Sequence, residues 1–225
     1  MPERGPARVR ALRLPIRTPR LELVLPSRRH VEAYPPLMDD PEIDRWTLRV
    51  PKPYRRKHAA AFVARARRRY RRGTGLSLTI EERGRGRVVG GIALVFARDP
   101  QRSEAEIGYW IAREARGQGF ASEAVQALVE VAFCRLRLHR LTAGVFEGNL
   151  ASRKVLERCG FRFEGAQRAA IRKHGVWRTD WCFARLADET GPRTGRPRTG
   201  RPAARRTSGR RRSARSPRAR VGRAA

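Results

Sequence analysis

The chain has 225 residues and a formal net charge of +31, with 52 Lys+Arg against 21 Asp+Glu. That length suits one domain with a substantial core, and no apolar run reaches the roughly 20 residues a membrane helix needs, so no membrane partner is expected. Three widely spaced cysteines and four scattered histidines fit neither a disulfide framework nor a metal site. No metal is expected, and the basic start without an apolar stretch points to a cytoplasmic protein.

In chain order, residues 21–25 alternate like a first strand, and Ser27 is placed to cap a helix that Pro35 and Pro36 interrupt. A short helix is expected over 41–46. Residues 54–72 form a basic helix, with Ala60, Ala61, Phe62, Val63 and Ala64 turned to the core and the arginines outward. Strands follow over 75–82, 87–96 and 103–112, the first two joined by a glycine-containing hairpin. Then come a helix over 118–136, a strand over 140–146, a helix over 149–159, and strands over 161–169 and 176–186. Cys134 and Cys159 fall in apolar helical stretches and are expected as buried thiols.

The junction between the strand ending near residue 112 and the following helix is the most informative segment. Glu106, Gly108 and Trp110 alternate with Ile107, Tyr109 and Ile111, whereas Ala121, Ala124, Val125, Leu128 and Ala132 repeat at helical spacing. Between them, Arg116, Gly117, Gln118, Gly119, Phe120, Ala121 and Ser122 leave little bulk, so successive backbone N–H groups can close on an anion at a helix N-terminus. The Walker pattern is missing. A dinucleotide reading lacks its third glycine, whose place Ser122 takes. Coenzyme A remains as the ligand.

Arg116, Gly119 and Ala121 fit the pyrophosphate-loop pattern [RQ]xxGx[GA], and here the chain resembles the GNAT superfamily of N-acetyltransferases. Arg17-Thr18-Pro19-Arg20-Leu21, Asp40-Pro41-Glu42, His139-Arg140-Leu141, Asn149-Leu150-Ala151-Ser152 and Gly160-Phe161 extend the likeness, in order, to the subgroup that acetylates ribosomal-protein N-termini. The resemblance implies an α/β fold of the α+β kind. Its mixed, mostly antiparallel twisted sheet has about seven strands flanked by about four helices, in the order β-α-α-β-β-β-α-β-α-β-β. It implies acetyl-CoA as cosubstrate, held by residues 116–122 together with Asn149, and a backbone N–H near Ile111 that faces the thioester oxygen. It also suggests Ser152 as the acid for the departing thiolate. Transfer to an amine further requires a base, for which Glu106 is the leading residue, with Glu104 and Glu164 competing. One extra residue between Gly175 and Asp180 leaves the Asp180 register open, and Trp177 and Trp181 are candidates to line an acceptor pocket.

Around this domain, expected over 17–189, lie a basic extension over 1–16 and an arginine-rich tail over 190–225. From Gly191 onward there are 13 arginines and no acid, with PRTGR repeated at 192–196 and 197–201, a composition that favours disorder. Such a tail suits nucleic acid. The ratio of 48 Arg to 4 Lys is also what a GC-rich genome imposes. The expected function is therefore acetyl transfer to a primary amine, with a protein N-terminus as the favoured acceptor. A small-molecule amine acceptor, a non-catalytic RNA- or ribosome-associated protein on the same fold, and a coenzyme A-binding regulator are the alternatives.

Overall fold

The computed structural model describes residues 6–97 and 103–190. The acidic-poor tail expected as disordered lies outside them. One eight-stranded sheet runs through the described chain, built from β1 (Ile16–Arg17), β2 (Leu21–Val24), β3 (Gly75–Glu82), β4 (Val88–Phe96), β5 (Glu104–Ile111), β6 (Arg140–Phe146), β7 (Arg162–Lys173) and β8 (Val176–Leu186). The spatial order is β1-β2-β3-β4-β5-β6-β8-β7. Every neighbouring pair is antiparallel except β5 with β6, which run parallel. The mixed, mostly antiparallel sheet expected from sequence is therefore present, with the two-residue β1 added at its edge.

Helices cover both faces. On one side α5 (Phe120–Glu130) and α6 (Leu150–Arg158) pack Ala124, Val125, Leu128 and Leu156 against Leu76, Leu78, Ile80, Ile107 and Leu141. The other side carries α2 (Tyr34–Met38), α3 (Pro41–Trp46) and α4 (Arg56–Arg72), whose Tyr34, Met38, Ile43, Ala59 and Val63 form a second cluster. Strand β3 is buried between the two layers, so its period of two separates Leu76, Leu78 and Ile80 from Ser77, Thr79 and Glu81. The polar row is satisfied: Tyr34 Oη and Thr79 Oγ1 lie 2.6 Å apart, and His30 Nε2 lies 2.7 Å from Glu81 Oε1. A Leu78→Ala chain should lose about 2–5 kcal/mol of unfolding free energy in urea titration, because Leu78 is 1 % exposed and the layers on either side cannot collapse into the space.

Four local expectations change. Pro35 and Pro36 do not end a helix from residue 28; a single turn over Arg28–His30 is followed by α2, in whose first turn the prolines sit, where their missing N–H groups leave no helical bond unmade. In α4 the inward residues are Ala59, Val63 and Ala66, with Phe62 half-buried, while Ala60, Ala61 and Ala64 are exposed. Helix α5 passes into a π-helical turn over Val131–Arg135, which shifts the inward register by a residue and leaves Cys134 exposed. Cys159 is buried, and burial pushes its thiol up to about 11. Finally, part of the expected N-terminal extension is docked: α1 (Pro6–Arg10) buries Val9 completely in the main core.

Candidate active site

The parallel ladder between β5 and β6 stops early. It pairs Glu104 with Arg140, Ala105 with Leu141 and Glu106 with Thr142, yet β5 continues to Ile111 and β6 to Phe146. Beyond Glu106 the two strands part, β6 staying with β8 and β5 with β4. The Ala112 N–H bonds Val89 O in β4, and the alternation of an antiparallel ladder then turns the amides of Ile107, Tyr109 and Ile111 away from β4, towards the gap. The result is a slot edged by backbone donors and acceptors at the centre of the sheet, the setting in which an extended amide chain adds as a further strand.

At the end of β5 the chain enters the glycine turn. Gly117 (φ 74°) and Gly119 (φ 80°) adopt the left-handed region that other residues avoid, and a Cβ on Gly117 would meet nothing within 4 Å, so that flank is open. Gly119 is the N-cap of α5 and brings no side chain to the first helical N–H groups, which leaves them to an external acceptor. The Arg116 guanidinium points elsewhere: its Nε donates to Ile111 O at 3.2 Å, and its Nη2 pairs with Asp40, the N-cap of α3. Likewise the Gln118 side chain donates to Glu114 O. These two residues frame the turn, which leaves backbone N–H groups as its anion-facing donors.

A neighbouring cluster, not singled out from sequence, holds the turn in place. Arg20 donates from Nη1 to Gln118 O at 2.9 Å and from Nε to Glu123 Oε2 at 2.7 Å, and its guanidinium lies over the Phe120 ring. Thr18 Oγ1 and the Arg20 N–H also donate to Glu123, on the first turn of α5. Burial pushes the Glu123 carboxyl up, but these bonds outweigh it and hold the group below its ordinary value. The signal was available: Thr18 and Arg20 belong to the Arg17–Leu21 motif.

Asn149 is the N-cap of α6, its Oδ1 accepting the Ser152 N–H at 3.1 Å, which leaves its Nδ2 hydrogens uncommitted by the cap. Both Asn149 and Ser152 line a cavity of about 560 Å³ that also reaches Glu106, Gly108, Tyr109, Gly144 and Val145, so it passes through the strand gap. Tyr109 reaches α6 as well, donating to Ser152 O at 3.2 Å; burial pushes its phenol up to about 12, the hydrogen bond acting the other way. That makes Tyr109 a poorer acid than a free tyrosine and a brace between strand and helix. Ile111, by contrast, is outside the cavity lining; only its backbone bears on the gap.

The three competing carboxylates separate cleanly. Arg140 holds Glu164 with two donors and also pairs with Glu104 at 3.4 Å; the Arg140 hydrogen bond, opposed by the carboxyl's own burial, holds Glu164 below its ordinary value. Glu106 alone of the three lines the cavity. Asp180, whose position sequence left open, is set by the two-residue turn at His174 and Gly175: it pairs across β8 with Phe146 and Gln167. A Cβ on Gly144 would lie 2.7 Å from Asp180 Oδ2, so glycine is what admits this carboxylate beside the cleft. Burial, and then the charge of Glu106, push the Asp180 carboxyl above its ordinary 3.8. A raised carboxyl binds its proton more tightly folded than unfolded, so its contribution is best below the unfolded value and is lost as pH rises through the folded one. Asp180→Asn should therefore raise Tm at about pH 7.5, and the gain should shrink towards about pH 4.5 in thermal melts.

The far wall of the cavity is aromatic. Tyr34, Trp46, Tyr54, Phe62 and Trp110 line it, and the Tyr34 ring sits edge-on to Phe62 and Trp110. Trp177 and Trp181, expected there, are not among the lining residues: Trp177 is 60 % exposed, and Trp181 packs beneath Arg153. Trp110 was legible, since it shares the Glu106 face of β5 by alternation; the residues of α2, α3 and α4 reach the cavity only through the tertiary fold. No group of side chains suited to a metal ion occurs among the described residues, nor is any described helix long and apolar enough to cross a membrane.

Comparison with known proteins gives the same picture. The acetyltransferase (GNAT) domain family matches residues 20–162. YjcK of Bacillus subtilis strain 168, named a probable N-acetyltransferase, is 40% identical over 91 residues, 40% of this chain and 50% of that protein. YoaA of the same organism, named an uncharacterized N-acetyltransferase, is 36% identical over 107 residues, covering 48% and 60% of the two chains. The matched region spans about half the length of these relatives. Among solved structures, Mycobacterium smegmatis RimJ in complex with CoA-disulfide superposes with a TM-score of 0.71 at 26% identity, over 80% of this chain and 88% of that one. The family match covers more than half of the chain and includes the parted strands, the glycine turn and α5: the chain belongs to the acetyltransferase (GNAT) domain family.

Proposed function

We propose that the protein transfers an acetyl group from acetyl-CoA to a primary amine, the N-terminus of a protein being the acceptor favoured by the motifs it shares with the ribosomal-protein subgroup. The observation that carries the reading is the parting of β5 from β6 directly upstream of the glycine turn. A slot with backbone donors along one edge and an uncapped helix start at its end fits a pantetheine arm leading to a pyrophosphate. Acetyl-CoA, when bound, supplies a thioester as the acetyl donor.

The remaining work falls to the chain itself. The backbone of Gly117, Gln118, Gly119, Phe120, Ala121 and Ser122 binds phosphate, with Arg20 and Arg116 holding the turn in shape. Asn149 and the Tyr109 amide orient the arm, and the Ile111 N–H, on the same gap edge, faces the thioester oxygen. Ser152 holds the proton for the departing thiolate. Glu106, open to the cavity and free of Arg140, accepts the proton of the amine, directly or through a water. Tyr34, Phe62 and Trp110 exclude water on the acceptor side.

Calorimetric titration with acetyl-CoA, followed by thiol release with alanine-initiated peptides, tests the reading. Binding of about −8 kcal/mol, micromolar affinity, is expected. Absence of binding by the full chain at low and high salt would overturn it.

A further inference from the structure

We infer that the amine acceptor carries an anionic group on the side opposite its amine, joined to it by an apolar body. The inference rests on the transferase reading for the direction in which the amine points. It is drawn from how charge is distributed along the acceptor half of the cavity. At the strand gap the cavity presents the Glu106 carboxylate, with Asp180 beside Gly144, which suits a cationic amine. The middle is walled by Tyr34, Phe62 and Trp110. On the α4 side the charge reverses, since Arg49 and Arg65 line the cavity together with His58.

Those two guanidiniums are not neutralised. Among the described residues neither Arg49 nor Arg65 takes part in an ion pair, whereas Arg56 on the same helix is held by Glu32. Arg65 instead lies 5.9 Å from the Phe62 ring centroid, a contact that fixes the side chain over the aromatic wall without using its donors. Beside it, His58 Nδ1 accepts the Arg55 N–H at 3.0 Å, so Nε2 carries the ring proton and adds a donor beside the guanidiniums. Planar guanidinium donors of this kind favour a carboxylate or phosphate over a neutral or cationic group. Two sources carry the required chemistry: a protein N-terminus followed closely by an acidic side chain, and a small amino acid or amino phosphate with an apolar centre.

The test uses the full chain, with and without CoA, in about 0.3 M salt so that the general positive field is screened. Calorimetry compares 4-(aminomethyl)benzoate, 4-methylbenzylamine and 1,4-bis(aminomethyl)benzene, three amines that differ in the group opposite the amine. The carboxylate should bind roughly tenfold more tightly than the neutral amine, and the dication most weakly. Arg65→Gln with Arg49→Gln should bring the carboxylate down to the level of the neutral amine, while Arg68→Gln, on the exposed face of α4, should leave the preference intact. Equal binding of the three amines, or a preference that survives the double substitution, overturns the inference. Acetylation of amidated peptides beginning Ala-Glu or Ala-Gln then separates the sources: preference for Ala-Glu assigns an acidic N-terminus, and preference for the benzoate without it assigns a small molecule. Should acetyl-CoA fail to bind, the transferase reading falls, yet the arginine-dependent preference still decides the chemistry of the cavity.

Discussion

Replacing Glu106 with Gln should lower kcat/KM for amine acetylation by about 10²- to 10⁴-fold, the range expected when a general base is removed. The KM for acetyl-CoA should change little, because Glu106 lies at the beginning of the strand gap and the glycine turn lies past its other end. An amide of the same size keeps the local packing, so stability should be nearly unaltered. Glu164→Gln is the matched control. It removes a carboxylate already committed to Arg140 on the sheet surface, and should leave turnover within twofold of the parent. Loss of activity in the Glu164 variant equal to that in the Glu106 variant would transfer the role of base.

Particular residues show how far this site could be read in advance. The period-two row from Glu106 to Ile111 and the helical row from Ala121 onward defined a strand-to-helix junction, and local backbone geometry is what such patterns encode. The cap at Asn149 was readable for the same reason: Asn three residues before Ser152 is a local device. Where the reading failed, a distant partner made the decision. Pro35 and Pro36 signal a helix break only if a helix is already running; with a single turn upstream, they begin α2. Choosing among three carboxylates required knowing that Arg140 faces Glu104 and Glu164 across strands distant in sequence. The aromatic wall draws on α2, α3, α4 and β5, so no local pattern contains it. Asp180 depended on a single turn at His174 and Gly175, and one residue of slip would have sent it to the other face.

Gly119→Asp should weaken acetyl-CoA binding by at least about 100-fold in calorimetric titration, and two independent effects combine to produce that loss. Gly119 holds φ at 80°, which an aspartate adopts only with strain, so the first turn of α5 must shift or stay strained. A new carboxylate would also stand at the helix start, where it would compete with phosphate for the same N–H groups and repel its charge. Arg20 Nη2 lies 3.4 Å from the position of the added Cβ and would offset part of the repulsion. Gly119→Asn separates the two contributions, because asparagine meets much the same backbone strain as aspartate at this φ and carries no charge. If steric and backbone effects dominate, the Asn and Asp variants should lose similar affinity; if the charge dominates, Asn should retain most of the binding, and added salt should restore part of it to Asp. Unchanged affinity in the Asp variant would mean that the turn does not hold the pyrophosphate, and the slot between β5 and β6 would then need another occupant. A thermal melt guards the comparison: the helix start is exposed at Gln118 and Gly119, so the variants should remain folded at the titration temperature.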